Sequence, residues 1–410
     1  MANFFDSGMR FEFKKSNSKV AYCALTTSVG TRNEEKGESG LAHFTEHLFF
    51  KGTEFRSAKR INNSIENLGG ELNAYTTKEE TVLHCTVLKE DLRKAIELLF
   101  EIAFRSTFPE KELEKEKVVI LEEINSYKDS PSEQIFDDFE ELLFKGTPLS
   151  MPILGKVASV KKINRDKLVK YYKKHFIPSN MCFTVVADSN EAAVKHLVST
   201  YFNKYVADDI VSKELPIKKD VIYNYSGNCF SKDISKRNHQ CHCLVGALAY
   251  SYYNQKRIPL ILLVNILGGP STNSKLNMAL REKNALVYSV DASYNQYSDI
   301  GALTIYFGCD NGNYEKCLRL VYEQLKLVRE RSISSQALAI AKKQFLGQIA
   351  ISSDNGESQC LNMGKSLMVF GRVMPMEEIE QLVMAITPEQ LQEVAQEILA
   401  EDKLSRLTYL

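Results

Sequence analysis

The sequence predicts an α+β fold of two homologous domains, each an antiparallel β-sheet packed with helices. Three observations carry that prediction. Strand-like and helix-like runs mix without the regular βαβ alternation of a parallel sheet. One pattern of helix, Gly-Gly turn, strand, strand and helix occurs twice. And 410 residues, 44% of them hydrophobic, are more than one core normally holds, because chains beyond roughly 250–300 residues tend to split into domains.

The first copy of the pattern runs over residues 61–102 and the second over 263–328. Leu68-Gly69-Gly70 matches Leu267-Gly268-Gly269, "TVLHCTVL" matches "ALTIYFGC", and a helix from Asp91 matches one from Tyr314. The second copy carries about twenty extra residues after its Gly-Gly turn, with a helical piece in "SKLNMALREKN". The strands "ELNAYTTK" and "TVLHCTVL" lie a few polar residues apart, which suits antiparallel pairing. The stretch 204–220 is charged, proline-containing and weakly periodic, so a boundary falls there. The expected division is a domain over 1–208, a linker over 209–220 and a second domain over 221–410.

Composition excludes several classes. Lys+Arg and Asp+Glu are equal at 52 each, without the basic excess of a nucleic-acid binder. No run approaches the ~20 apolar residues of a membrane span, and the N-terminal stretch lacks the apolar core of a signal peptide. The nine cysteines are scattered and odd in number, which fits reduced thiols in a cytoplasmic protein. Cys241 and Cys243 flank His242, but alternation along a strand explains that spacing better than a metal site.

The chemistry concentrates in "GLAHFTEHLFFKGT", residues 40–53, which holds two of the seven histidines. Ser39 is positioned to cap a helix, Leu41, Phe44 and Leu48 give it an apolar face, and Gly52 can end it. On that helix His43 and His47 stand one turn apart on one face, so both imidazoles can aim at one point. Glu46 stands beside that point without occupying it. Two neutral imidazoles at this spacing suit Zn2+, and the adjacent carboxylate suits a general base.

A catalytic zinc site usually needs a third protein ligand. The best source is the helix over 110–130. At 100° per residue, Leu113, Ile120 and Ile124 form an apolar arc. Glu116 and Glu123 fall about 40° and 60° from Ile120 on this wheel, while Glu122 points away. Carboxylates inside an apolar arc need partners. Glu123 is the better candidate ligand, with Glu116 supporting it two turns earlier.

The order H-x-x-E-H is the inverzincin signature, and the surrounding residues resemble the pitrilysin and mitochondrial processing peptidase superfamily. That family's pattern places a glutamate 76 residues after the second histidine, which falls on Glu123, and a second acid seven residues earlier, which falls on Glu116. "GGELNAYTTKEET" resembles the family's active-site strand, with Asn73 and Ala74 where substrate backbone pairs. "LREKNALVYSV" resembles its second-domain motif, in which Arg281 and Tyr288 reach the zinc site and bound peptide. The corresponding part of the second half, "PLILLVNILGG", has no histidine pair, as in the family's inactive twin domain.

The resemblance implies a zinc metalloendopeptidase acting on short or unfolded peptides inside a two-domain chamber. It implies His43, His47 and Glu123 on the metal, Glu46 as base, Tyr288 and Arg281 as further catalytic or substrate-binding groups, and the peptide bound as an added β-strand. Both motif sets lie in one chain, so a homodimer is expected rather than a heterodimer, with neither nucleic acid nor membrane as partner. The competing expectations are a non-catalytic subunit of a larger assembly and a dedicated leader or presequence processing peptidase.

Overall fold

A computed structural model of the chain describes residues 3–4, 8–206, 223, 225, 229–236 and 240–410. The linker expected over 209–220 lies outside the described residues. In the N-terminal half, strands β1 (Asn3–Phe4), β2 (Arg10–Lys15), β3 (Val20–Thr27), β4 (Glu71–Thr76), β5 (Thr81–Leu88) and β6 (Met181–Ala187) are interspersed with helices. These are α1 (Leu41–Phe49), α2 (Ala58–Glu66), α3 (Leu92–Arg105), α4 (Glu110–Lys128), α5 (Pro131–Leu143), α6 (Val157–Val160), α7 (Arg165–His175) and α8 (Glu191–Tyr205). The C-terminal half holds strands β7 (Ser231–Ile234), β8 (Cys241–Ala249), β9 (Val287–Gln296), β10 (Gly301–Cys309) and β11 (Ser405–Tyr409). Its helices are α9 (Arg257–Gly268), α10 (Tyr314–Glu330), α11 (Ser335–Ser352), α12 (Gly356–Phe370), α13 (Met376–Met384) and α14 (Pro388–Ile398).

The two sheets share one topology. The first runs β1-β2-β6-β3-β5-β4 and the second β7-β11-β8-β10-β9. Apart from the short β1, each strand has a counterpart at the same place. The sheets are mixed rather than purely antiparallel: β2 lies parallel to β6, and β7 to β11. Those strands come from opposite ends of each half, joined through many helices, so neither needs a hairpin. The remaining ladders are antiparallel, including the expected β4–β5 pair with Asn73 opposite His84 and Ala74 opposite Leu83.

The compact units are not contiguous halves. The first comprises Met1–Asn125, Met151–Asp220 and Ile351–Val373, and the second Ser126–Ser150, Val221–Ala350 and Met374–Leu410. Each unit therefore contains a helix encoded in the other half. Strand alternation explains why. In the first unit, Cys23 and Leu25 face a core built with Phe44 of α1 and Phe100 of α3, while Ala24, Val82 and Val186 face the other way, onto Cys360 and Met363 of α12. In the second, Cys243, Val245 and Ile305 face one core, and Leu244, Tyr306 and Leu407 face Ile135, Phe139 and Leu143 of α5. Sheets covered on both faces need near-continuous apolar strands, and "MCFTVVA" and "GALTIYFGC" supply them.

Cys241 and Cys243 point into that second core while His242 turns to the opposite face and meets the Tyr306 hydroxyl at 2.8 Å, as strand alternation predicts. All nine cysteines are free. Among the described residues no helix is long and apolar enough to cross a membrane.

Candidate metal centre

The centre is built on α1. Leu41, Phe44, Leu48 and Phe49 are buried, and the Phe49 ring packs against Phe108, Tyr172 and Phe176 at 6.1, 6.2 and 5.1 Å. Each such side chain contributes about 1.5–3 kcal/mol of burial, enough to fix the helix and its polar flank. That flank carries His43, Glu46 and His47.

The helix starts differently from the sequence reading. Ser39 does not cap it; the cap position is Gly40 at φ 95°, and the buried Ser39 hydroxyl makes no hydrogen bond. A left-handed backbone there favours glycine. A Cβ on Gly40 would also meet Leu154 O at 3.0 Å. The first free N–H groups are taken instead by Glu34, whose carboxylate accepts from Gly40 N at 3.1 Å and Ala42 N at 2.8 Å. At the other end α1 stops at Phe49, before Gly52.

Burial pushes the Glu34 carboxyl up to about 8, against the pull of the Ala42 and Gly40 N–H groups. A carboxyl with a raised folded-state pKa binds a proton that the unfolded chain would release. Its contribution to stability is thus complete below about 4.5 and is lost as pH rises through about 8. Urea midpoints measured across that window should fall with pH in the wild type, and fall less in Glu34→Gln. Equal slopes would show that Glu34 does not titrate there.

The three donors converge. Oε2 of Glu123, on α4, lies 3.9 Å from His43 Nε2 and 3.6 Å from His47 Nε2. The two rings stand 4.6 Å apart, inclined at 70°. Among the described residues, His43, His47 and Glu123 are the one group of three or more histidine, cysteine or acid side chains whose donor atoms all lie within 4.8 Å of one another. Donors around a tetrahedral zinc stand about 3.3 Å apart, from Zn–N and Zn–O distances near 2.0–2.1 Å. The two separations from Glu123 stand within about 0.6 Å of that value. The chemistry fits as well: burial, with the neighbouring His47, holds the His43 imidazole down at about 3 and therefore neutral, the form that ligates metal.

The α4 wheel separates the acids as expected. Leu113, Glu116, Ile120 and Ile124 are buried, Glu123 is half-exposed and Glu122 exposed. Glu116 Oε2 stands 3.0 Å from His47 Nδ1, the ring nitrogen turned away from the donor cluster. Its other oxygen takes Lys51 Nζ at 2.8 Å. Sequence reasoning did not single out Lys51, although its place one turn after His47 was a usable signal.

Glu46 is the acid of the site that lies outside the donor cluster, next to the Thr76 hydroxyl. Its Oε2 is buried, as is Oγ1 of Thr76 on β4, the hydroxyl it faces. Burial pushes the Glu46 carboxyl above the ordinary range, Glu123 pushes the same way, and the Thr76 hydroxyl and His47 oppose them. Thr76 links the centre to the edge strand, since β4 is the last strand of its sheet. On it Asn73 is exposed and Ala74 half-buried. Arg281 and Tyr288 belong to the second unit. Arg281 sits in a π-helical turn, Asn277–Glu282, within the extra segment of the second repeat. Tyr288 is 61% exposed and its hydroxyl donates to Asp310 Oδ1 at 3.1 Å.

Fold and site together define a class: a duplicated α+β chain with a histidine–histidine–glutamate centre in its first unit and, among the described residues, none in the second. The chain belongs to the insulinase family, peptidase family M16, whose model matches residues 10–157, while the model for the peptidase M16 inactive domain matches residues 162–345. An uncharacterised zinc protease of Bacillus subtilis is 30% identical over 390 residues, covering 95% of this chain and 93% of the relative. Another, of Rickettsia bellii, is 30% identical over 381 residues, covering 93% and 90%. The crystal structure of a protease from Helicobacter pylori superposes with a TM-score of 0.92 at 19% identity, covering 100% of this chain and 98% of that one. A peptidase M16 inactive domain structure from Pseudomonas fluorescens gives 0.89 at 18%, covering 100% and 97%. At such identities the structural likeness speaks for the fold alone.

Proposed function

We propose that this chain is a zinc-dependent endopeptidase that hydrolyses short or unfolded peptides. The observation that carries this reading is the pairing of a three-donor cluster, His43, His47 and Glu123 within 4.8 Å, with a further carboxylate on the histidines' helix, Glu46, whose Oε2 is buried. Burial pushes that carboxyl above its ordinary range, toward the pKa suited to a general base at neutral pH. Zinc held by the three donors would make water acidic near pH ~7 and polarise the scissile carbonyl. Glu46 then takes a proton from the attacking water at its carboxylate and returns it to the leaving nitrogen. Glu116 and Lys51 hold His47 in place.

The substrate lies extended along the free edge of β4, pairing main chain to main chain near Asn73 and Ala74. Such pairing gives affinity with little dependence on side chains. In an antiparallel ladder only alternate residues of the added strand turn their N–H toward the partner. Scanning N-methylation along a fluorogenic, unstructured peptide should therefore raise KM at every second position, by roughly 3- to 10-fold for each hydrogen bond lost. Cleavage should also stop on chelation. An N-methyl scan with no alternation would rule out strand addition, and cleavage indifferent to chelator would rule out the metal.

A further inference from the structure

We propose that Lys51 is a positioning residue for the metal centre, acting on His47 through Glu116. This rests on the reading of the centre as a zinc site. The chain of contacts is direct: Lys51 Nζ to Glu116 Oε1 at 2.8 Å, Glu116 Oε2 to His47 Nδ1 at 3.0 Å, and His47 Nε2 facing Glu123 Oε2 at 3.6 Å. Lys51 follows His47 by four residues, just past the end of α1, so ammonium and imidazole approach one carboxylate from neighbouring positions along the chain.

The geometry needs the lysine. The Glu116 side chain is only 9% exposed, and a carboxylate so buried requires a counter-charge. Lys51 supplies it from a side chain 29% exposed, which keeps the ammonium partly hydrated. With Oε1 tied to Lys51, the carboxylate cannot rotate, and Oε2 stays where it accepts from His47 Nδ1–H. That hydrogen bond fixes the ring's orientation and the tautomer whose Nε2 lone pair points at the donor cluster. Without the ammonium the carboxylate is free to swing off Nδ1, and a metal would then have to order the ring itself. Glu34 braces the start of α1 and the Lys51–Glu116 pair braces its end, so the histidines are held between two anchors from outside the helix.

Zinc affinity, read by competition with a chromophoric chelator on the full chain, tests this. Lys51→Met should weaken zinc binding about 10-fold, and Lys51→Arg should restore it to within about 3-fold. Glu116→Gln should weaken it by about 10- to 100-fold. The double variant should be no weaker than Glu116→Gln alone, because the lysine acts only through the glutamate. A lysine of merely structural importance would lower the melting temperature and leave zinc affinity unmoved. Wild-type affinity in Lys51→Met, or additive losses in the double variant, would overturn the inference while leaving the zinc reading intact. A wild-type chain that binds no zinc would overturn both. Should Lys51→Met fold poorly, Lys51→Gln makes the same comparison.

Discussion

Glu46→Gln should lower kcat/KM for an unstructured peptide by about 10²- to 10⁴-fold while zinc still binds one to a chain. The substitution keeps volume and polarity and removes only the capacity to take a proton. Glu46 is not among the three converging donors, and the amide oxygen of glutamine can still accept from the Thr76 hydroxyl that faces it. Stability should hold or rise, because burial already pushes this carboxyl toward its neutral form. Steady-state kinetics beside zinc analysis separates the cases. Loss of both activity and zinc would make Glu46 a structural part of the centre. Retained activity would remove Glu46 from the chemistry, and a wild type as inactive as the variant would make the non-catalytic subunit the better account.

Glu123→Gln should lower zinc affinity by more than about 100-fold, beyond the loss typical of residues that only support a ligand. The side chain is 40% exposed, with its Oε2 beside the two imidazoles, so its removal strands no deeply buried charge and the metal-free melting temperature should hardly move. Glu122→Gln supplies the control: that neighbour is exposed on the far flank of α4 and its loss should change nothing. Competition with a chelator reads both variants. Equal affinity in Glu123→Gln and wild type would mean that α4 does not ligate the metal.

The donor set was legible in the sequence because both of its parts are local on a helix. His43 and His47 are one turn apart, and the 100° wheel places Glu116 and Glu123 in the arc of α4 that faces them. The expected capping by Ser39 failed for a tertiary reason: Gly40 takes a left-handed conformation and Glu34 reaches the free N–H groups from outside the helix. Sequence patterns carry no sign of such a contact. The repeat was also legible, down to the matched Gly-Gly turns, strands and helices. The exchange of α5 and α12 between units was not, because the helical period reveals an apolar face but not which sheet it will cover. The parallel β2–β6 and β7–β11 pairs were missed for a similar reason: each joins strands more than a hundred residues apart in sequence, where hairpin spacing gives no guidance.

The account depends most on one ion held by two imidazoles and a carboxylate. The zinc K-edge X-ray absorption spectrum of the purified, zinc-supplemented chain tests this most directly. The account predicts one zinc per chain in a shell of nitrogen and oxygen alone at about 2.0–2.1 Å, with the scattering pattern of imidazole. A chain without stoichiometric zinc, or a sulfur scatterer at about 2.3 Å that places the ion among the cysteines, would contradict it.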